Sequence, residues 1–124
     1  MNEVLVYIGS GAIIMWGIAH LIPTRAIVNG FGAISEDNRK ILAMESIAEG
    51  FTLIFLGILA LLVTLVGGYD DTVSRAVLWA TAAMLLVMAL LTLLTGARTS
   101  LIPYKICPFV KTIVAVLVIL AIVL

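Results

Sequence analysis

"ILAMESIAEGFTLIFLGILALLVTLV", residues 41–66, holds two carboxylates and no Lys or Arg in 26 residues. At ~1.5 Å of rise per residue, a helix of that length exceeds the ~30 Å hydrocarbon thickness of a bilayer. Alternation of period two is absent, and only helices and closed barrels satisfy their backbone groups in lipid, so the stretch reads as a transmembrane helix. The rest of the chain agrees with that solvent. Its 124 residues are 64% hydrophobic and 11% charged, with a mean hydropathy of +1.29. A soluble core of this length cannot hide so much apolar surface.

Three further apolar stretches flank the first: about 4–22, closed by Pro23; about 73–95, closed by Gly96; and about 109–124, opened by Pro108. They predict an all-α fold, an integral membrane four-helix bundle. One domain, 1–124, is expected, with helices at about 4–22, 36–66, 73–95 and 108–124. The second helix is extended back to residue 36 because Ser35 is a ready N-cap and Glu36 and Asp37 suit the positive end of the helix dipole. Glu3 replaces the basic region of a signal peptide, and the apolar run behind it is too long for one, so the first helix is expected to stay.

Seven basic residues balance seven acidic ones. No charged tail points to nucleic acid, and none is expected as a partner. Cys107 is alone, which excludes a disulfide within the chain. No phosphate loop, nucleophile elbow or zinc motif supports the chemistry of soluble enzymes.

The basic residues are unevenly spread. Arg25, Arg39 and Lys40 follow the first helix, and Arg98, Lys105 and Lys111 follow the third; Arg75, beside Asp70 and Asp71, is alone on the other side. The positive-inside rule therefore predicts the cell (cytoplasmic) membrane as location, with the first and third loops cytoplasmic and both termini outside. That orientation gathers His20, Glu45, Glu49, Arg98, Tyr104, Lys105 and Lys111 at one end of the bundle. The opposite half is nearly all aliphatic.

Steps of three and four put Asn38, Leu42, Glu45, Glu49 and Thr52 on one face of the second helix. Ser46, Gly50, Leu53 and Gly57 form the neighbouring face, small enough to admit another helix closely. On the first helix Gly9, Ile13, Trp16 and His20 share a face. The two helices are expected to pack with His20 directed at the Glu45 and Glu49 row. A carboxylate removed from water favours its protonated form unless a cation answers it, and histidine titrates near neutrality. Glu49, Glu45 and His20 are thus the candidate reactive residues. Trp16, Arg25, Arg39, Arg98 and Lys111 are candidates for ligand contact or countercharge. The bland alternative is an ion pair that only holds helices together.

Metal binding has little support, because one His and two Glu lack a Glu-x-x-His repeat, and no metal is expected. No residue pattern names a cofactor. Cys107 next to Pro108 reads as part of a helix start rather than a reactive thiol. Trp16, Trp79, Tyr69 and Tyr7 read as core or interface aromatics. "LIPTR" at 21–25 and "LIPYK" at 101–105 both put Pro and a cation directly after a helix, a hint of an internal repeat. The fourth helix has no counterpart of the two Glu.

"GIAHLIP" at 17–23 and "EGFTLIFLG" at 49–57 resemble the small four-helix DoxX-like membrane proteins. The resemblance covers mainly residues 17–57. It implies a four-helix bundle, a redox or quinone-linked role and a lipophilic ligand, with Glu49 and His20 the positions that carry over. Small multidrug exporters are of similar length but keep their essential Glu in the first helix, and the Gly-rich and Asn-bearing motifs of fluoride channels are missing. The expected function is a membrane protein whose cytoplasm-facing polar pocket binds a lipophilic or quinone-like small molecule, with proton transfer at Glu49. Alternatives are a proton-coupled transporter working as a homodimer and a structural or assembly subunit without a ligand. Besides the lipid bilayer, the expected partners are that small molecule and a second copy of the chain.

Overall fold

The computed structural model describes residues 1–68 and 71–124; Tyr69 and Asp70 lie outside the described residues. Its elements are α1 (Glu3–Leu21), α2 (Thr24–Gly30), α3 (Glu36–Gly67), α4 (Thr72–Leu94), a 3-10 turn (Gly96–Arg98) and α5 (Ile102–Val123). Four of these, α1, α3, α4 and α5, are long and apolar enough to cross a membrane. The chain is a helical bundle with the character of a membrane protein.

The caps explain most of the boundaries. Asn2 Oδ1 accepts from the Val4 N–H at 3.2 Å and Ser35 Oγ from the Asn38 N–H at 3.1 Å, each satisfying one of the orphan donors of a first turn. Asp71 caps α4, accepting from the Ser74 N–H at 2.7 Å and from Ser74 Oγ at 2.8 Å. Those bonds, the backbone one first, hold its carboxyl below the ordinary Asp value. Ser74 Oγ also lies 2.8 Å from the Val63 carbonyl and ties the α3–α4 turn together.

Two expected boundaries are corrected. The segment after α1 is not only a polar loop: residues 24–30 form the short α2, with Pro23 at its N-cap position and Thr24 and Val28 buried. The last helix starts at Ile102 and not at Pro108, because Pro103 sits in its first turn, where the missing N–H has no helical acceptor to lose. Pro108 lies inside α5, buried, and leaves the Tyr104 carbonyl without its usual donor one turn on. Lys111, inside this helix on either boundary, is buried within the bundle and drops out of the basic-residue count that sets orientation.

Glycines let α1 and α3 approach closely. A Cβ on Gly17 would stand 2.8 Å from the Gly50 carbonyl oxygen, and one on Gly57 would stand 3.0 Å from that of Ser10. Backbone therefore meets backbone, as the small-residue face predicts. α1 and α5 run antiparallel, their ends joined by the Asn2 N–H and the Ala121 carbonyl at 2.7 Å. Val6, Ile13, Leu53, Leu78, Leu85, Val114 and Val118 form the heart of the core. Large apolar side chains such as Phe51, Phe55, Leu65 and Leu91 point outward, the arrangement of a bundle solvated by lipid. Trp79 and Tyr7 are exposed on that outer surface and not in the core. Hydroxyls of Thr52, Thr64, Thr81 and Thr112 donate to the carbonyl one turn back, so none of the four faces hydrocarbon unbonded.

Candidate functional site

Lys111 is fully buried, the largest side chain in the bundle with no exposure. An ammonium cannot be left bare there, and its partners come from two other helices. Its Nζ donates to Glu49 Oε1 on α3 and, at 2.9 Å, to Thr92 Oγ1 on α4. The Thr92 hydroxyl in turn donates to the Met88 carbonyl at 2.9 Å, which leaves its lone pairs for the lysine. The second Glu49 oxygen, Oε2, lies 3.2 Å from His20 Nε2 on α1. That contact is off the line of a hydrogen bond, so the buried His20 Nε2 has no hydrogen-bond partner despite its closeness to the carboxylate. The Glu49–Lys111 pair thus links all four long helices.

A second rung lies beside the first. Trp16, one turn before His20 on α1, donates its indole N–H to Cys107 Sγ at 3.2 Å, and Cys107 is one turn before Lys111 on α5. The His20 ring stands edge-on to Tyr104, with 5.8 Å between centroids and an 86° interplanar angle. His20, Pro23, Pro103 and Tyr104 border one small cavity of about 30 Å³, so the two "LIP" segments meet at this end of the bundle.

The sequence candidates separate here. Glu49, His20 and Lys111 converge, and Trp16 flanks them through Cys107. Glu45, one turn before Glu49, is exposed and makes no ion pair among the described residues. Arg39 donates to Asn29 Oδ1 at 2.7 Å and to the Gly32 carbonyl at 3.4 Å, away from both Glu. Arg25 and Arg98 are exposed and pair with neither Glu. The expected meeting of His20 with a two-carboxylate row is therefore corrected to a meeting with Glu49 alone, since Glu45 has turned about the α3 axis toward the surface.

Two contributors escape a reading of the sequence, Thr92 and Cys107, and Tyr104 is placed by it at the right end of the bundle without a role. Tyr104, Cys107 and Lys111 follow helical steps of three and four, a signal that appears only once the helix is started at Ile102. Thr92 carries no such mark.

Glu49 retains 24% side-chain exposure. It lines a cleft of about 420 Å³ between α3 and α4. Met84, Met88 and Leu91 give it apolar walls, while Glu45, Glu49, Thr52 and Thr95 add polar groups along it. Among the described residues, no group of three His, Cys, Asp or Glu stands close enough to hold a metal ion.

No family model, curated protein or solved structure matches this chain.

Proposed function

We propose that the chain binds an amphipathic, quinone-like lipophile in the α3–α4 cleft, with the polar head of that molecule against Glu49. One observation carries this reading: the partner of the buried Lys111, Glu49, lines a cleft whose apolar walls include Met84 and Met88. Such pockets suit ligands that are mostly apolar with one polar end, and methionine adapts to irregular shapes. A ligand hydroxyl would donate to Glu49, which takes up its proton, and Lys111 would steady the charge left behind. His20, with a free ring nitrogen beside the carboxylate, is the group to pass the proton onward. The DoxX-like resemblance of residues 17–57 supports the same ligand class.

The test is extraction from native membranes under mild conditions, followed by mass analysis of bound small molecules. Wild type is expected to carry a stoichiometric lipophile, and Glu49→Gln or Met88→Trp to lose it at least about tenfold, the equivalent of ~1.4 kcal/mol. Equal occupancy in all three proteins, or none in wild type, overturns the reading.

A second reading rests on the bonds of Lys111 to two other helices, through Glu49 and Thr92: the cluster serves only to join helices, and the protein is a structural subunit. Intramembrane ionisable groups default to a functional hypothesis, which is why this reading ranks second.

We also propose that the Glu49 end faces the cytoplasm. Arg25, Arg39, Lys40, Arg98 and Lys105 lie at that end against Arg75 at the other. A cysteine introduced at Asn2 is expected to react with an impermeant label from outside the cell. Labelling only after the membrane is opened reverses the orientation.

A further inference from the structure

A groove of about 620 Å³ runs between the end of α1, α2 and the first turns of α3, on a different face from the Glu49 cleft. Ala43, Ile47 and Phe51 give it an apolar wall, of which Ile47 and Phe51 are exposed, and Arg25, Arg39 and Asn29 supply its polar groups. Among the described residues, no carboxylate lines it. We propose that it holds one anionic phospholipid, the phosphodiester between Arg25 and Arg39 and an acyl chain along Ala43, Ile47 and Phe51.

Charge and position both point to that occupant. Arg39 is held in place by two neutral acceptors, Asn29 Oδ1 and the Gly32 carbonyl, and has no ion-pair partner among the described residues. A guanidinium has five N–H donors, and these two bonds leave three for a phosphate. Arg25 is exposed and has no ion-pair partner among the described residues. Glu36, the acid one turn before Lys40, faces that lysine at 3.8 Å. From Arg39 to Phe51 α3 rises ~18 Å, the step from headgroup level into hydrocarbon. A two-fold partner copy seated on this face would bring Arg25 and Arg39 against their own like charges. A lipid phosphate answers them.

The test is native mass spectrometry of the detergent-solubilised protein with phosphatidylglycerol or phosphatidylcholine. At ~1 kcal/mol per basic residue near an anionic lipid, each Arg contributes about fivefold, so phosphatidylglycerol is expected to be held about 25-fold more tightly. The double variant Arg25→Gln, Arg39→Gln is expected to bring it down to the phosphatidylcholine level. Arg25→Gln alone, which leaves the Arg39 loop bonds intact, loses about fivefold and serves if the double variant fails to fold. Ala43→Phe fills the groove without touching either Arg and weakens both lipids. Equal retention of the two lipids by wild type overturns the proposal, as does full retention by the Arg variants. Displacement by millimolar inorganic phosphate, or a protein dimer in place of the lipid adduct, overturns it too.

Discussion

Glu49→Leu is expected to destabilise the protein by about 3–5 kcal/mol, the usual penalty for leaving one member of a buried ion pair alone. The stranded group is Lys111, which has no exposure and keeps only the Thr92 hydroxyl. Lys111→Met is expected to cost less, about 1–3 kcal/mol, because Glu49 is 24% exposed and retains His20 at 3.2 Å. The double variant Glu49→Leu, Lys111→Met removes both charges and is expected to recover most of the loss, a coupling well beyond additivity. Reversible unfolding in mixed micelles, followed by circular dichroism, measures all three. Equal losses in the two single variants would contradict the asymmetric burial, and additive losses would contradict the pairing.

The same double variant separates the two functional readings. If the cluster only joins helices, restoring stability restores everything the protein does. If the cluster is a binding site, the double variant folds well and carries no lipophile. Stability and occupancy then part company, which a purely structural ion pair does not allow.

Gly17→Ala is expected to lower stability by about 1–3 kcal/mol, toward the upper end, although alanine is the better helix former. The new methyl would stand 2.8 Å from the Gly50 carbonyl oxygen and 3.0 Å from the Ile54 nitrogen, both backbone. No side chain can rotate to make room, so α1 and α3 must separate, and the His20–Glu49 contact near that crossing lengthens with them. Gly11→Ala is the control. Nothing lies within 4 Å of its Cβ position, so helix propensity acts alone and stability is expected to hold or rise slightly. Thermal unfolding of the pair in detergent decides the matter. A Gly17→Ala protein that melts with wild type would mean that the two helices cross farther apart than these distances require.

Part of the site is legible in the sequence. The steps Gly9, Ile13, Trp16, His20 and Ser46, Gly50, Leu53, Gly57 are local periodicities, and they put the right faces of α1 and α3 together. Lys111 stands out as a candidate for countercharge, but as one of several cations with no reason to prefer it over Arg25, Arg39 or Arg98. A local ambiguity hides its neighbours: with the last helix started at Pro108, Tyr104 and Cys107 fall outside it, and the face they share with Lys111 disappears. Proline at a first turn and proline within a helix look alike in sequence. Only the chain around them distinguishes the two, here Pro103 taking the first-turn position.

Hydropathy and length are enough to point to a bilayer and to the four long helices, but not to the short α2 or to the start of α5. They give four helices for a bilayer because backbone groups in lipid have no other way to be satisfied, and side-chain period gives each helix its small-residue or polar face. Which ionisable groups meet is a matter of packing between helices. The sequence distance between Glu49 and Lys111 is long, and their meeting depends on the rotation of α3 and α5 about their axes, which is set by the glycine contacts of α1 with α3 and by core packing. Small rotations move a side chain from core to surface; Glu45, one turn from Glu49, lies on the outside for that reason. The periodicity of one helix fixes which residues share a face, and the packing of several decides which face turns inward.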